Sequence, residues 1–268
     1  MTDQQSPRNS DWRSKVALCL CSTLLCILGA EVSARLFWHA CCRVPLASPD
    51  RILYAYYPAL AKVDRERPSA ADEYYDILLL GASTFHRDWS RIEQSLYEQL
   101  AENGYRKVRI YNPSRQAHTI RDRWLESAAL GSARFDMVMI YHGMNEARLN
   151  NAPPDVFRDD FGHYTWYEIV NVLSLYHGKA RFALPYTLRF LALKVLQSVR
   201  SSRYVPKREP RKDWLEFGGT IRSAVPFKAN LEAILDTAAR RGDPVMLFTF
   251  ATHLSENYSI EAFKNKRL

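Results

Sequence analysis

Hydrophobic and polar positions alternate in two different rhythms along most of this chain. The stretch Ile77 to Leu80 is a continuous apolar run between Asp76 and Gly81. Such a run predicts a short strand buried on both faces. From Ser90 to Asn103 the period changes: Ile92, Leu96 and Leu100 share one face, and Gly104 ends the predicted helix. Lys107 to Tyr111 alternates as a second strand. Thr119 to Leu130 is again helical, with Ile120, Trp124 and Ala128 on one stripe, and Asp136 to Tyr141 is a third buried strand. Lys228 to Arg241 predicts a helix with Leu231, Ile234, Leu235 and Ala238 inward, ending at Gly242. Pro244 to Phe250 follows as a fourth strand. Strands and helices that alternate in this way predict an α/β fold of three layers, a parallel sheet with helices on both faces. Ligands in such sheets bind at the carboxyl ends of the strands.

The first forty residues follow neither rhythm. Val16 to Ala30 carries no charge, with Arg8, Arg13 and Lys15 before it and Glu31 and Arg35 after it. A bilayer core needs about 20 apolar residues. The run reaches that length if the helix continues through Val32 and Ala34. It therefore reads as one transmembrane signal-anchor helix. A cleaved signal peptide fits less well, because no small-x-small site follows Ala30. A lipoprotein signal fits least, because bulky Leu25 precedes Cys26. The positive flank predicts an inside N-terminus. The main domain is then extracytoplasmic, and periplasmic if the membrane is a bacterial inner membrane. The expected organisation is a tail and anchor over 1–40, a connector over 41–71 and an α/β domain over 72–268.

Composition narrows the class. The chain has 268 residues, 47% hydrophobic and 25% charged, which argues against disorder and suits one well-buried domain. The net charge of +8 is local. Ten Lys or Arg lie between Lys179 and Lys212 against one acid, Glu209. A nucleic-acid partner is therefore not expected. In a helix from Pro185 to Arg200, Leu188, Leu191, Val195 and Val199 share a face, with Arg189, Lys194 and Arg200 largely off it. That suits either an interfacial helix on anionic lipid or a lid packed on the domain. All five cysteines fall at or before Cys42 without zinc-site spacing, so no metal and no cofactor are expected.

Three strand ends carry distinctive polar residues. Gly81-Ala82-Ser83 follows the first strand. Asn112-Pro113-Ser114, running on to Ala117-His118-Thr119, follows the second. His142-Gly143-Met144-Asn145-Glu146 follows the third. Singly, these read as tight turns and caps. Together they supply a hydroxyl nucleophile and N–H donors for the oxyanion of a tetrahedral intermediate.

In that order and context the chain resembles the SGNH (GDSL-type) hydrolases. GAST (Gly81 to Thr84), YNPSRQAHT (Tyr111 to Thr119) and YHGMNEAR (Tyr141 to Arg148) are similar to the family's first three blocks. The resemblance runs from Asp76 to the C-terminus, and the anchor, N-N-A-P-P and H-Y-T-W-Y are similar to membrane-anchored bacterial members. It implies Ser83 as nucleophile and Asn145 as an oxyanion-hole donor beside the Ser83 N–H. Ala117 stands where the family places a glycine whose N–H is the third donor, and Ser114 replaces an earlier glycine. The family's D-x-x-H block has no counterpart after the fourth strand, so the expectation is a truncated member. Of the histidines, His253 is the candidate base. His86 reads as solvated or packed, His118 and His142 as cleft hydrogen-bonders, and His163 and His177 as structural or lid residues. The implied function is a membrane-anchored extracytoplasmic serine esterase or deacylase acting on an acylated small molecule, glycan or lipid. The alternatives are a non-catalytic binding or assembly protein that keeps the cleft, and an O-acyltransferase using it.

Overall fold

A computed structural model describes residues 10–69, 73–205 and 211–249. Four apolar runs become strands: β1 (Tyr75–Gly81), β2 (Val108–Tyr111), β3 (Met137–Tyr141) and β4 (Val245–Leu247). In chain order the helices are α1 (Ser10–Cys42), α2 (Ala59–Glu66), α3 (Ile92–Glu102), α4 (Ile120–Ala129), α5 (Met144–Arg148), α6 (Thr165–Ser174), α7 (Leu184–Val199) and α8 (Ala224–Arg241). The strands form one parallel sheet in the order β2-β1-β3-β4. β1 and β3 are central, in register from Ile77 opposite Met137 to Gly81 opposite Tyr141.

The continuous apolar runs are explained by cover on both faces. Ile77, Leu79, Ile110 and Met139 pack under Ile92, Leu96 and Leu100 of α3. Leu78, Leu80, Val138 and Ile140 pack on the other face against Ile120 of α4 and Ile234 of α8. The described residues therefore form an α/β fold, a four-stranded parallel sheet between helical layers. Gly242, at φ 75°, closes α8 in the left-handed conformation that glycine adopts without a Cβ penalty. The described part of the fourth strand is short and largely exposed, and Phe250 lies outside the described residues.

Two regions differ from the sequence reading. On α4, Ala128 is exposed and Trp124 only half-buried. The buried face also carries Asp122, Arg123, Glu126 and Ser127. The segment 41–71 folds as a 3-10 turn, Pro49–Ala55, followed by α2. Its Ile52, Leu53, Tyr57 and Leu60 enter a second core with Trp38 of α1 and Tyr164, Tyr167 and Tyr186.

α1 is long and apolar enough to cross a membrane. Every residue from Trp12 to Gly29 is exposed. At 1.5 Å per residue that run spans about 27 Å, close to the thickness of a hydrocarbon core. Beyond it the helix joins the domain, burying Glu31, Ala34 and Trp38.

Candidate active site

The turn after β1 depends on a residue without a side chain. A Cβ on Gly81 would lie 2.6 Å from the Phe85 ring, which folds back under the strand end. The chain passes straight into a single 3-10 turn, Ser83–Phe85, closed by His86 N–H donating to the Ser83 carbonyl (3.1 Å). Ser83 is half-buried at the head of that turn. The loop after β2 fastens it. Asn112 Nδ2 donates to the Phe85 carbonyl (2.7 Å) and to Glu93 Oε1 (2.8 Å), while Asn112 Oδ1 accepts from Ser114 N–H (3.1 Å). Buried Ser114 Oγ accepts from Gly81 N–H (3.1 Å) and donates to the Leu79 carbonyl (3.4 Å). Ser114 is thus a clasp between two strand ends.

The same loop joins the end of β3. Ala117 adopts φ 58°, the left-handed region that L-residues enter at a cost. One residue later, the His118 carbonyl accepts from Asn145 Nδ2 at 2.7 Å. An Asn amide has two N–H groups, so one remains for a ligand. Gly143, at φ 141°, turns the chain into the short helix α5. Glu146 Oε1 then accepts from Ile120 N–H (2.6 Å), holding the start of α4 against α5.

These ties bring Ser83 and Asn145 to one pocket, lined also by Ala82, Thr84, Tyr141, His142, Gly143 and Met144. It has a volume of about 20 Å³, room for roughly one water. The pocket lies between the carboxyl ends of β1 and β3. There the chain order reverses, because β2 lies on one side of β1 and β3 on the other. Ligands bind at such switch points in open parallel sheets. Ala117 is not on the pocket wall.

The histidines separate clearly. The His86 ring accepts from Asp88 N–H (3.3 Å) in its own turn. His118 is fully buried, its Nδ1 against Arg123 and its ring edge-on to Tyr57. His142 is buried on the pocket wall with Nδ1 3.6 Å from Glu146 Oε1, and neither ring nitrogen has a hydrogen-bond partner among the described residues. Burial pushes His163 down to about 4 and lowers His177 as well, so both are neutral near pH 7. His253 lies outside the described residues. Among the described residues no cluster of His, Cys, Asp and Glu side chains could hold a metal ion.

Behind the loop is a polar core that the apolar pattern does not announce. Asp122 Oδ1 accepts from Tyr57 Oη (2.9 Å) and Trp166 Nε1 (2.8 Å). Its Oδ2 accepts from Tyr167 Oη (2.7 Å) and Thr119 N–H (2.8 Å). Burial alone would raise this carboxyl. The neighbouring His118 and Arg123, with the Tyr167 and Thr119 hydrogen bonds, outweigh it and hold Asp122 at about 2. Arg123, fully buried, bridges His118 and Glu126, whose carboxylate lies 2.8 Å away. Burial lifts Glu126 to about 8 against that attraction. The spacing Thr119-x-x-Asp122 is a capping box, and it was the available sequence signal for this residue.

No protein-family model matches the chain, and no curated protein or solved structure is significantly similar to it.

Proposed function

We propose that the protein is a membrane-anchored serine esterase or deacylase of the SGNH type, with its α/β domain outside the cytoplasm. The observation that carries this reading is the meeting of Ser83 and Asn145 in one pocket at the sheet's switch point. The positive φ of Ala117 supports it, since that position calls for the glycine the family resemblance implies. In this reading Ser83 Oγ attacks the acyl carbonyl. The oxyanion accepts from Ser83 N–H and from the remaining Asn145 N–H, donors that gain strength in a water-poor site.

A serine hydroxyl also needs a proton acceptor. His142 is the candidate among the described residues: it lines the pocket, its ring nitrogens make no hydrogen bond, and a carboxylate lies beside Nδ1. His253 is the candidate outside them. The small pocket favours a second reading, a binding or assembly protein that keeps the cleft without turnover.

Turnover of short-chain acyl esters by detergent-solubilised full-length protein separates the two. The enzyme reading expects hydrolysis that falls at least about 10³-fold in Ser83→Ala and about 10²-fold in Asn145→Ala. Acyl-ester binding that survives Ser83→Ala, with no turnover by the unaltered chain, would support the binding reading instead.

A further inference from the structure

Helix α7 is pinned to the anchor helix at its first turn. Ala183, its N-cap residue, has no side chain to satisfy the free N–H groups there. Glu31 of α1 supplies the acceptor: Oε1 takes Ala183 N–H (2.9 Å) and Oε2 takes Leu184 N–H (2.8 Å). Arg35 donates to the Arg181 carbonyl (2.9 Å), and Trp38 Nε1 donates to Thr187 Oγ1 (2.8 Å). Trp38 also packs its ring on Tyr186 and Phe190. Glu31 stands two residues beyond the exposed run that ends at Gly29. The start of α7 therefore falls where the apolar span gives way to the domain.

From that point α7 presents two opposite faces, one buried against the domain and one exposed and apolar. Tyr186 and Gln197, with half-buried Phe190, face the domain. Leu188, Leu191, Val195 and Val199 lie within about 80° of one another on the far side. They are 50–78% exposed. Phe182, just before the helix, is 61% exposed. The exposed cations Arg189 and Arg200 fall along one seam between the two sides, and Lys194 along the other. Cations at the seams of an exposed apolar face are the pattern of an interfacial helix on anionic lipid. A soluble lid packed on its domain would have no reason to hold this face open to water. At the far end of α7, Arg158, Arg200 and Arg203 line a cleft of about 290 Å³ with Asp155 as its acidic member.

We propose that the outer face of α7 is a second membrane contact. It would seat Leu188, Leu191, Val195 and Val199 in the lipid surface beside α1, with Arg189, Lys194 and Arg200 on anionic headgroups. The proposal rests on the reading of α1 as a membrane anchor and is independent of the chemistry at Ser83. It would fix the orientation of the α/β domain on the bilayer, where a single helix would leave it to swing.

The test uses the full chain with its five cysteines changed to serine. A nitroxide is placed by Leu188→Cys, by Val195→Cys or, as a water-exposed control on α3, by Glu98→Cys. The protein is reconstituted in nanodiscs of phosphatidylcholine with or without phosphatidylglycerol. Expected in phosphatidylglycerol discs are severalfold greater collision rates with oxygen than with a nickel chelate at 188 and 195, and the reverse at 98. Replacing Arg189, Lys194 and Arg200 by Gln should cut the lipid-bound population about fivefold per cation. Water-like accessibility at 188 and 195 in protein that is inserted in the disc overturns the proposal. Spin–spin broadening at 195 that vanishes on dilution with unlabelled protein also overturns it, assigning the face to a second copy. Protein that fails to enter the discs contradicts the anchor and the contact together, and leaves the chemistry at Ser83 untouched.

Discussion

Ala117 is a single residue in the wrong conformation for its side chain. Its φ of 58° precedes the His118 carbonyl that holds Asn145, so the strain sits next to the group it helps to position. Ala117→Gly should relieve about 1 kcal/mol of backbone strain. It should raise the melting temperature by roughly 2–4 °C for a domain of this size. A calorimetric scan showing no rise would mean that the loop gains nothing from the change. Ser83 and Asn145 were legible in the sequence because each follows an apolar run that can only be a buried strand. The role of Ser114 was not legible, since its hydroxyl bonds to Gly81 and Leu79, residues more than thirty positions away. The setting of His142 was not legible for the same reason: only the fold puts it on the pocket wall with Ser83 and near Glu146.

Among the elements, the central strands were the easiest to read and α4 the hardest. β1 and β3 are covered on both sides, so burial marks every position except the half-buried end residues Tyr75, Met137 and Tyr141, and the apolar runs stand out. α4 buries charge instead. A pattern that counts only apolar residues put Ala128 inside and left Asp122, Arg123 and Glu126 out. The Asp122 carboxylate is tolerated because hydroxyl and N–H donors surround it, and Glu126 because burial lifts it to about 8 and keeps it largely protonated near pH 7. Glu126 gives this network a pH signature. Its pKa in the fold, about 8, lies above the ordinary carboxylate value. Its contribution to stability is therefore present below about pH 4.5 and is lost as pH rises through about 8. Asp122 works the other way: its contribution is present above about pH 4 and lost as pH falls toward 2. Glu126→Gln should flatten the decline in denaturant midpoint between pH 5 and 8, with little change at pH 5. An equal decline in wild type and variant would assign it to other groups.

At the scale of the molecule, the long N-terminal helix α1 is part of the fold as well as an appendage. Composition marked the N-terminal apolar run as a spanning helix. It could not show that the same helix continues for another three turns into a core with residues 49–66, α6 and α7. The contacts with α6 and α7 join residues separated by more than a hundred positions, and the Pro and Tyr residues of 45–58 look like a connector until Ile52, Leu53 and Tyr57 are seen buried. Glu31 is the joint. Glu31→Ala removes the acceptor for two N–H groups at the start of α7, at a cost of about 1 kcal/mol. Amide exchange at Ala183 and Leu184 should quicken about fivefold or more, while exchange in β1 and β3 stays unchanged. Equal quickening throughout would mean that Glu31 supports the whole fold and not this joint. The central claim concerns Ser83, and the most direct measurement is the site of covalent reaction with a fluorophosphonate, mapped by mass spectrometry on the folded full-length chain. The account predicts one adduct, on the peptide that contains Ser83, absent in Ser83→Ala and weakened in Asn145→Ala. A folded chain that forms no adduct, or one whose adduct persists in Ser83→Ala, would contradict it.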